Sequence, residues 1–214
     1  MNKRKLAFAL RGLINAFPFN NKMKGKVAIE NKGAILRKCR IVSGGRNNKI
    51  VLGANTMLDH CVIRFYGSDN TIVIGDNCLA REVTFYMEDC DNAITVGNGT
   101  NLCGKAEFAT IEGTKISLGE GCLFSSDIMV VTGDSHSILD ASNQRINPSQ
   151  DIKIGNRVWV GHRVSIRKNA SIADDTVIGE GAIVTKAFSE ANTVLAGVPA
   201  KVIKTGVHWQ FERI

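Results

Sequence analysis

Six aliphatic residues stand six apart in this chain: Ile154, Val160, Ile166, Ile172, Ile178 and Val184. Four residues after each of the first five comes a small or β-branched side chain, at Val158, Val164, Ala170, Thr176 and Ala182. Gly or Ala follows the aliphatic residue at Gly155, Gly161, Ala173 and Gly179. An α-helix repeats every 3.6 residues and a flat strand every two, so neither explains this period. A chain that turns a corner after each short strand does, because equivalent residues then stack coil upon coil. The pattern predicts a parallel β-solenoid.

Upstream the same unit returns at Leu52-Gly53-Ala54-Asn55-Thr56, Ile74-Gly75-Asp76-Asn77-Cys78, Val96-Gly97-Asn98-Gly99-Thr100 and Leu118-Gly119-Glu120-Gly121-Cys122, each 22 residues after the last. Three six-residue units make an 18-residue coil, so a 22-residue period is one coil with four extra residues. Mostly polar clusters supply them: Gly44-Gly45-Arg46-Asn47, Gly67-Ser68-Asp69-Asn70, Glu88-Asp89-Cys90-Asp91 and Ile111-Glu112-Gly113-Thr114. They predict a ridge of short loops at one corner. The step from Leu118 to Ile154 is 36 residues and reads as two plain coils. The expected organisation is one solenoid domain over residues 26–203 with a loop at 132–151, preceded by a segment 1–25 and followed by a tail 204–214.

Aromatic residues are scarce, at 6%, which suits a narrow prism lined by aliphatic side chains. Cys78 and Cys122 occupy the small slot of the repeat, and Cys39 and Cys61 match each other 22 residues apart. No CxxC or zinc-type spacing occurs. The cysteines therefore read as buried small hydrophobes in a reducing compartment.

Charge is confined to one end. Residues 1–26 hold seven basic side chains and no acid, while the rest of the chain carries 20 basic and 20 acidic residues. Leu6, Leu10, Leu13, Ile14 and Phe17 fall there at helical spacing, predicting a short amphipathic helix. Two roles are open to it: a cap on the end of the solenoid, or a basic helix on anionic lipid. Arg11 interrupts the apolar run and no small-residue cleavage site follows, so secretion is not expected. No apolar stretch reaches the 18 or so residues that a membrane span needs. The expected location is cytoplasmic, with peripheral membrane contact through residues 1–20 as an open reading.

The stretch Thr132-Gly133-Asp134-Ser135-His136-Ser137-Ile138, with Val158-Trp159-Val160-Gly161 downstream, resembles hexapeptide-repeat O-acetyltransferases of bacterial capsular and other surface polysaccharides. Their terminal pattern is matched by Val184-Thr185-Lys186 and by Ala196-Gly197-Val198-Pro199-Ala200-Lys201-Val202-Ile203-Lys204. The likeness is concentrated between Leu118 and Lys204. It implies an all-β, left-handed parallel β-helix, assembled as a homotrimer with active sites between neighbouring prisms. It also implies acetyl-coenzyme A as acyl donor, a carbohydrate acceptor, no metal and no nucleic-acid partner.

Acetyl transfer to a sugar hydroxyl needs a base for the hydroxyl proton, donors for the oxyanion and a hold on the coenzyme. His136 is the candidate base, since a neutral imidazole suits the task and the residue lies where the repeat lapses. Asp134 either orients the imidazole or is an ordinary turn residue. A covalent intermediate on Ser135 or Ser137 is set aside for direct transfer, and Ser137 is kept as a candidate acceptor contact. Trp159 must point outward, either as a wall of the acceptor site or as packing between subunits. The resemblance carries His162, Gly179, Glu180, Thr185, Lys186 and Lys204 to the coenzyme, the two lysines toward its phosphates. His60 and His208 have no motif support and read as structural.

Close variants are N-acetylation of a nucleotide-linked amino sugar and acetylation of a small molecule such as serine, a galactoside or an antibiotic. Remoter readings are a zinc hydratase of the γ-carbonic-anhydrase type, which needs three converging histidines, and a non-catalytic scaffold.

Overall fold

A computed structural model describes residues 21–213, and the amphipathic helix expected within residues 1–20 lies outside them. The described chain winds as a three-faced parallel β-helix. The first face stacks Lys22–Lys24, Arg40–Ser43, Val62–Phe65, Val83–Met87, Ala106–Thr110, Ile128–Val131, Ser165–Arg167 and Ile183–Val184. The second runs from Ala28–Asn31 to Ala187–Phe188 and the third from Ile35–Arg37 to Thr193–Ala196. Coils begin at Lys22, earlier than the expected Lys26. At the other end Lys201–Thr205 adds an antiparallel edge strand to the third face, so regular structure continues past Ile203.

The registers confirm the 22-residue period: Ile50, Ile72, Ile94 and Ile116 pair in sequence on the second face. The 36-residue step departs from expectation. Ile116 pairs directly with Ile152, and Leu118 with Ile154. The step is therefore one coil, not two, and the surplus leaves the prism as a single excursion after Val131. Its physical cause is compositional: residues 133–151 are too polar to supply inward side chains for another coil.

Each coil turns its corners through left-handed backbone. Asn55, Asn77, Gly99, Gly121, Arg157 and Asp175 recur in one column with φ between 50° and 70°, a region that Asn, Asp and Gly tolerate best. Coils also approach closely: a Cβ added at Gly119 would lie 2.5 Å from the Gly155 carbonyl. Inside, the aliphatic repeat forms a continuous core, in which Phe85 and Phe108 stack on successive coils at 5.8 Å between ring centroids and Phe124, on the same coil as Phe108, meets it edge-on at 5.7 Å. The same corner as the excursion carries the ridge of loops. There Asn48 and Asn70 accept the backbone N–H of Asn70 and Asn92 at 3.0 and 2.9 Å, linking loop to loop.

Cys39, Cys61, Cys78 and Cys122 are buried free thiols, as the repeat predicts, and burial pushes the Cys122 thiol up to about 11. Cys90 and Cys103 differ: both are exposed, because they sit in a ridge loop and just past a strand rather than in the inward slot. Among the described residues no helix is long and apolar enough to cross a membrane.

Candidate active site

The excursion is pinched shut at its base, where the Gln150 N–H donates to the Thr132 carbonyl at 2.9 Å. Gly133 begins it, where an added Cβ would meet Ile111 Cγ2 and Ser149 Oγ at 2.4 Å, so a larger residue would have to displace both side chains. Beyond this neck the chain forms a hairpin, with Leu139 bridging Arg145 and the Ile146 N–H donating to the Ile138 carbonyl. Arg145 reaches back to the preceding coil and grips Glu112 through both guanidinium nitrogens at 2.6 and 3.1 Å, and Glu112 also accepts the Ser149 N–H. The Arg145 guanidinium, helped by Ser149, holds the Glu112 carboxyl down at about 2.

His136 projects from this anchored loop and is exposed. Its backbone is held at both ends. Its N–H donates to the Asp134 carbonyl at 2.7 Å, and its own carbonyl accepts Asn147 Nδ2 at 2.8 Å. Asn147 is buried and its amide makes three further bonds, donating to Asp134 Oδ2 at 3.0 Å and accepting the Ile138 N–H at 2.6 Å and Arg145 Nε at 3.4 Å. It is the hub of the loop. Sequence reading passed over it, although its position before Pro148 at the end of the irregular stretch is the signal that could have found it.

The carboxylate of Asp134 is engaged elsewhere than at the imidazole. Lys168 Nζ donates to Asp134 Oδ2 at 2.5 Å and to the Asn147 carbonyl at 3.0 Å, and Arg167 approaches Asp134 Oδ1 at 3.9 Å. The hydrogen bonds from Lys168 and Asn147 hold the Asp134 carboxyl below its ordinary range. In this arrangement Asp134 braces the loop. Beside it lies a cleft of about 320 Å³, lined by Tyr86, Glu107, Met129 and Arg167 of the first face and by Gly133 and Ser135 of the loop, one residue short of His136.

The remaining predicted residues fall in separate places on the protomer. Trp159 points outward from the third face, 39% exposed, and the C-terminal tail folds back onto it, placing Trp209 at 6.0 Å and Phe211 5.1 Å beyond. His162 occupies the corner between the third and first faces, with Nδ1 at 2.8 Å from Ser126 Oγ and 3.0 Å from the Ser126 carbonyl. Gly179 and Glu180 lie on the next coil, where the Gly181 N–H donates to the His162 carbonyl at 2.9 Å. Thr185 and Lys186 follow the last strand of the first face, with Lys186 Nζ 5.5 Å from the centre of the Phe188 ring, and Lys204 lies on the antiparallel edge strand. Ser137 is exposed beside His136. His162, Gly179 and Glu180 are neighbours on stacked coils. His60 shares the corner column of His162 but stands four coils away, about 19 Å at the spacing of paired strands. Among the described residues no three of His, Cys, Asp and Glu are grouped to hold a metal.

Residues 151–186 match the bacterial transferase hexapeptide family (six repeats). The chain is 34% identical over 108 residues to galactoside O-acetyltransferase of Escherichia coli K12, covering 50% of this chain and 52% of that protein. It is 33% identical over 107 residues to polysialic acid O-acetyltransferase of Neisseria meningitidis, covering 50% of each. The chain thus spans about half the length of the curated relatives it matches. A solved structure of the polysialic acid O-acetyltransferase OatWY superposes with a TM-score of 0.84 at 27% identity, over 91% of this chain and 92% of that one. Likeness of fold over nine-tenths of that solved structure, together with the repeat itself, makes this chain a hexapeptide-repeat β-helix that is similar in fold to a polysialic acid O-acetyltransferase.

Proposed function

We propose that the protein transfers the acetyl group of acetyl-coenzyme A to a sugar hydroxyl of a bacterial surface polysaccharide or its precursor, with His136 as general base. The observation that carries this reading is His136 itself: an exposed residue next to Ser135, which lines the cleft, on a backbone pinned from both sides. A base must be held in place to collect the entropic advantage of a preset geometry. The loop's bonds supply that hold without occupying the ring.

In the proposed reaction the acceptor oxygen attacks the thioester carbonyl as its proton passes to the imidazole. The tetrahedral intermediate then collapses, the C–S bond breaks, and the imidazolium returns the proton to the departing thiolate. Asp134 acts on this chemistry as a brace, through Lys168 and Asn147. The names of the relatives favour a polymeric carbohydrate acceptor.

Trp159, His162, Gly179, Glu180, Thr185, Lys186 and Lys204 lie apart from His136 in one protomer, and an assembly supports their use. Ile138, Leu139 and Ile146 are all more than half exposed on the projecting hairpin, an apolar arm of the kind that a neighbouring prism would cover. The reading is therefore a homotrimer in which one copy supplies His136 and another the wall along which the coenzyme lies. The protein would work at the cytoplasmic side, with peripheral membrane contact through residues 1–20.

The test is thiol release from acetyl-coenzyme A across a panel of carbohydrate acceptors, with His136→Ala beside the native protein. The substitution is expected to lower kcat by about 10²–10⁴-fold, the usual share of a general base, with the coenzyme KM unchanged. Acceptor-dependent turnover that survives it sinks the mechanism.

A further inference from the structure

The cleft beside the His136 loop continues along the outer side of the first face, away from the chemistry. Strand register there sets Arg64, Tyr86, Ala109, Val131 and Arg167 in one outward column. Three strand spacings separate Tyr86 from Arg167, about 14 Å, or the length of roughly three sugar rings. Ala109 keeps the floor low between them. Tyr66, 56% exposed, continues the row, its ring 5.3 Å from that of Tyr86 and tilted by 49°. Exposed Glu107 flanks the floor, Glu88 lines it further up, and Arg167 closes the end next to Asp134. Flat aromatic faces at staggered angles, with carboxylate acceptors and a guanidinium donor at the sides, match the apolar faces and hydroxyl rims of sugars.

We infer that this face is an acceptor groove for an extended glycan, in which Tyr86 and Tyr66 stack sugar rings beyond the residue that is acetylated. The inference rests on the acetyltransferase reading above and adds to it where a polymeric acceptor lies, held at three or more consecutive residues along the first face. A glycan fits better than a second copy of the chain. Among the described residues Glu107 has no ion-pair partner, and a protein surface laid over it would bury its charge, whereas sugar hydroxyls would donate to it.

The groove is tested by acetyl transfer to purified bacterial capsular and O-antigen polysaccharides and to their fragments of two, four and eight residues. With the native protein, KM should fall at least tenfold between the shortest and the longest fragment of the polymer that accepts acetyl. Tyr86→Ala and Tyr66→Ala should remove that length dependence, Tyr66→Ala should leave kcat on the shortest fragment within twofold, and Tyr86→Phe should keep the length dependence. A KM independent of length, or a dependence that survives Tyr86→Ala, overturns the groove and leaves the acetyltransferase reading standing. A change of sedimenting mass in Tyr86→Ala also overturns it, by assigning the face to contact between copies. Transfer to no carbohydrate at all refutes both.

Discussion

Truncating Asn147 separates holding the loop from holding the prism. Asn147→Ala deletes the amide that binds the His136 carbonyl, Asp134 Oδ2 and the Ile138 N–H. Two backbone groups and one carboxylate oxygen lose a partner in a largely buried place. Leaving a buried polar group unsatisfied costs about 1–3 kcal/mol. Water can enter beside an exposed hairpin, so the lower end applies, and the loss sums to about 3 kcal/mol. That is roughly two decades in the equilibrium between ordered and open loop, at 1.4 kcal/mol per decade. We expect kcat for acetyl transfer to fall by up to about 100-fold. Thermal unfolding followed by calorimetry should shift little, because the aliphatic core is complete without the loop. Asn147→Asp, which places a second carboxylate against Asp134, should be no better than Ala. Native turnover in Asn147→Ala would refute the hub. So would a collapse of the melting transition equal to the loss of activity, since the residue would then support the whole fold.

Three other outcomes follow from the same coordinates. The carboxyl of Glu112, held at about 2 against an ordinary 4.5 by Arg145, favours the anchored loop fully above pH 4.5, and that contribution disappears as pH falls toward 2; hydrogen exchange should show residues 133–150 opening over that window before the coils do, and in Arg145→Ala already at neutral pH. Phe108→Ala, at a fully buried ring between two others, should cost about 3–5 kcal/mol of stability in chemical denaturation, and a loss under 1 kcal/mol would mean that the phenylalanine stack does not support the core. Lys204→Ala should raise the coenzyme KM with little change in kcat, as lost uniform binding does, and an unchanged KM removes it from the coenzyme site.

The solenoid was legible because its cause is periodic. Inward aliphatic residues, small corner residues and Asn or Gly at left-handed turns recur in register, so counting residues recovers the coils from Ile50 to Val184 and even the column in which the ridge loops stand. The count failed where composition changes. The 36 residues from Leu118 to Ile154 are divisible by the coil length, and only the direct pairing of these two residues shows a single coil with an excursion.

The candidate site divides along the same line. His136 was named chiefly through the resemblance of the stretch Thr132 to Ile138, helped by its place in a lapse of the repeat, both of which are visible in one dimension. What holds it is not local. Lys168 lies 34 residues from Asp134, and Arg145 lies 33 from Glu112. Such pairs exist only once the coils stack and the hairpin folds back. For the same reason Asp134 could be named from its spacing to His136 but not assigned: two residues apart in sequence, its carboxylate is drawn away by a lysine from the next coil. Sequence alone determined the prism, its corners and the place where it opens. Tertiary structure decided which charges meet there, because a long side chain takes its partner from the neighbouring coil rather than from its neighbours in the chain.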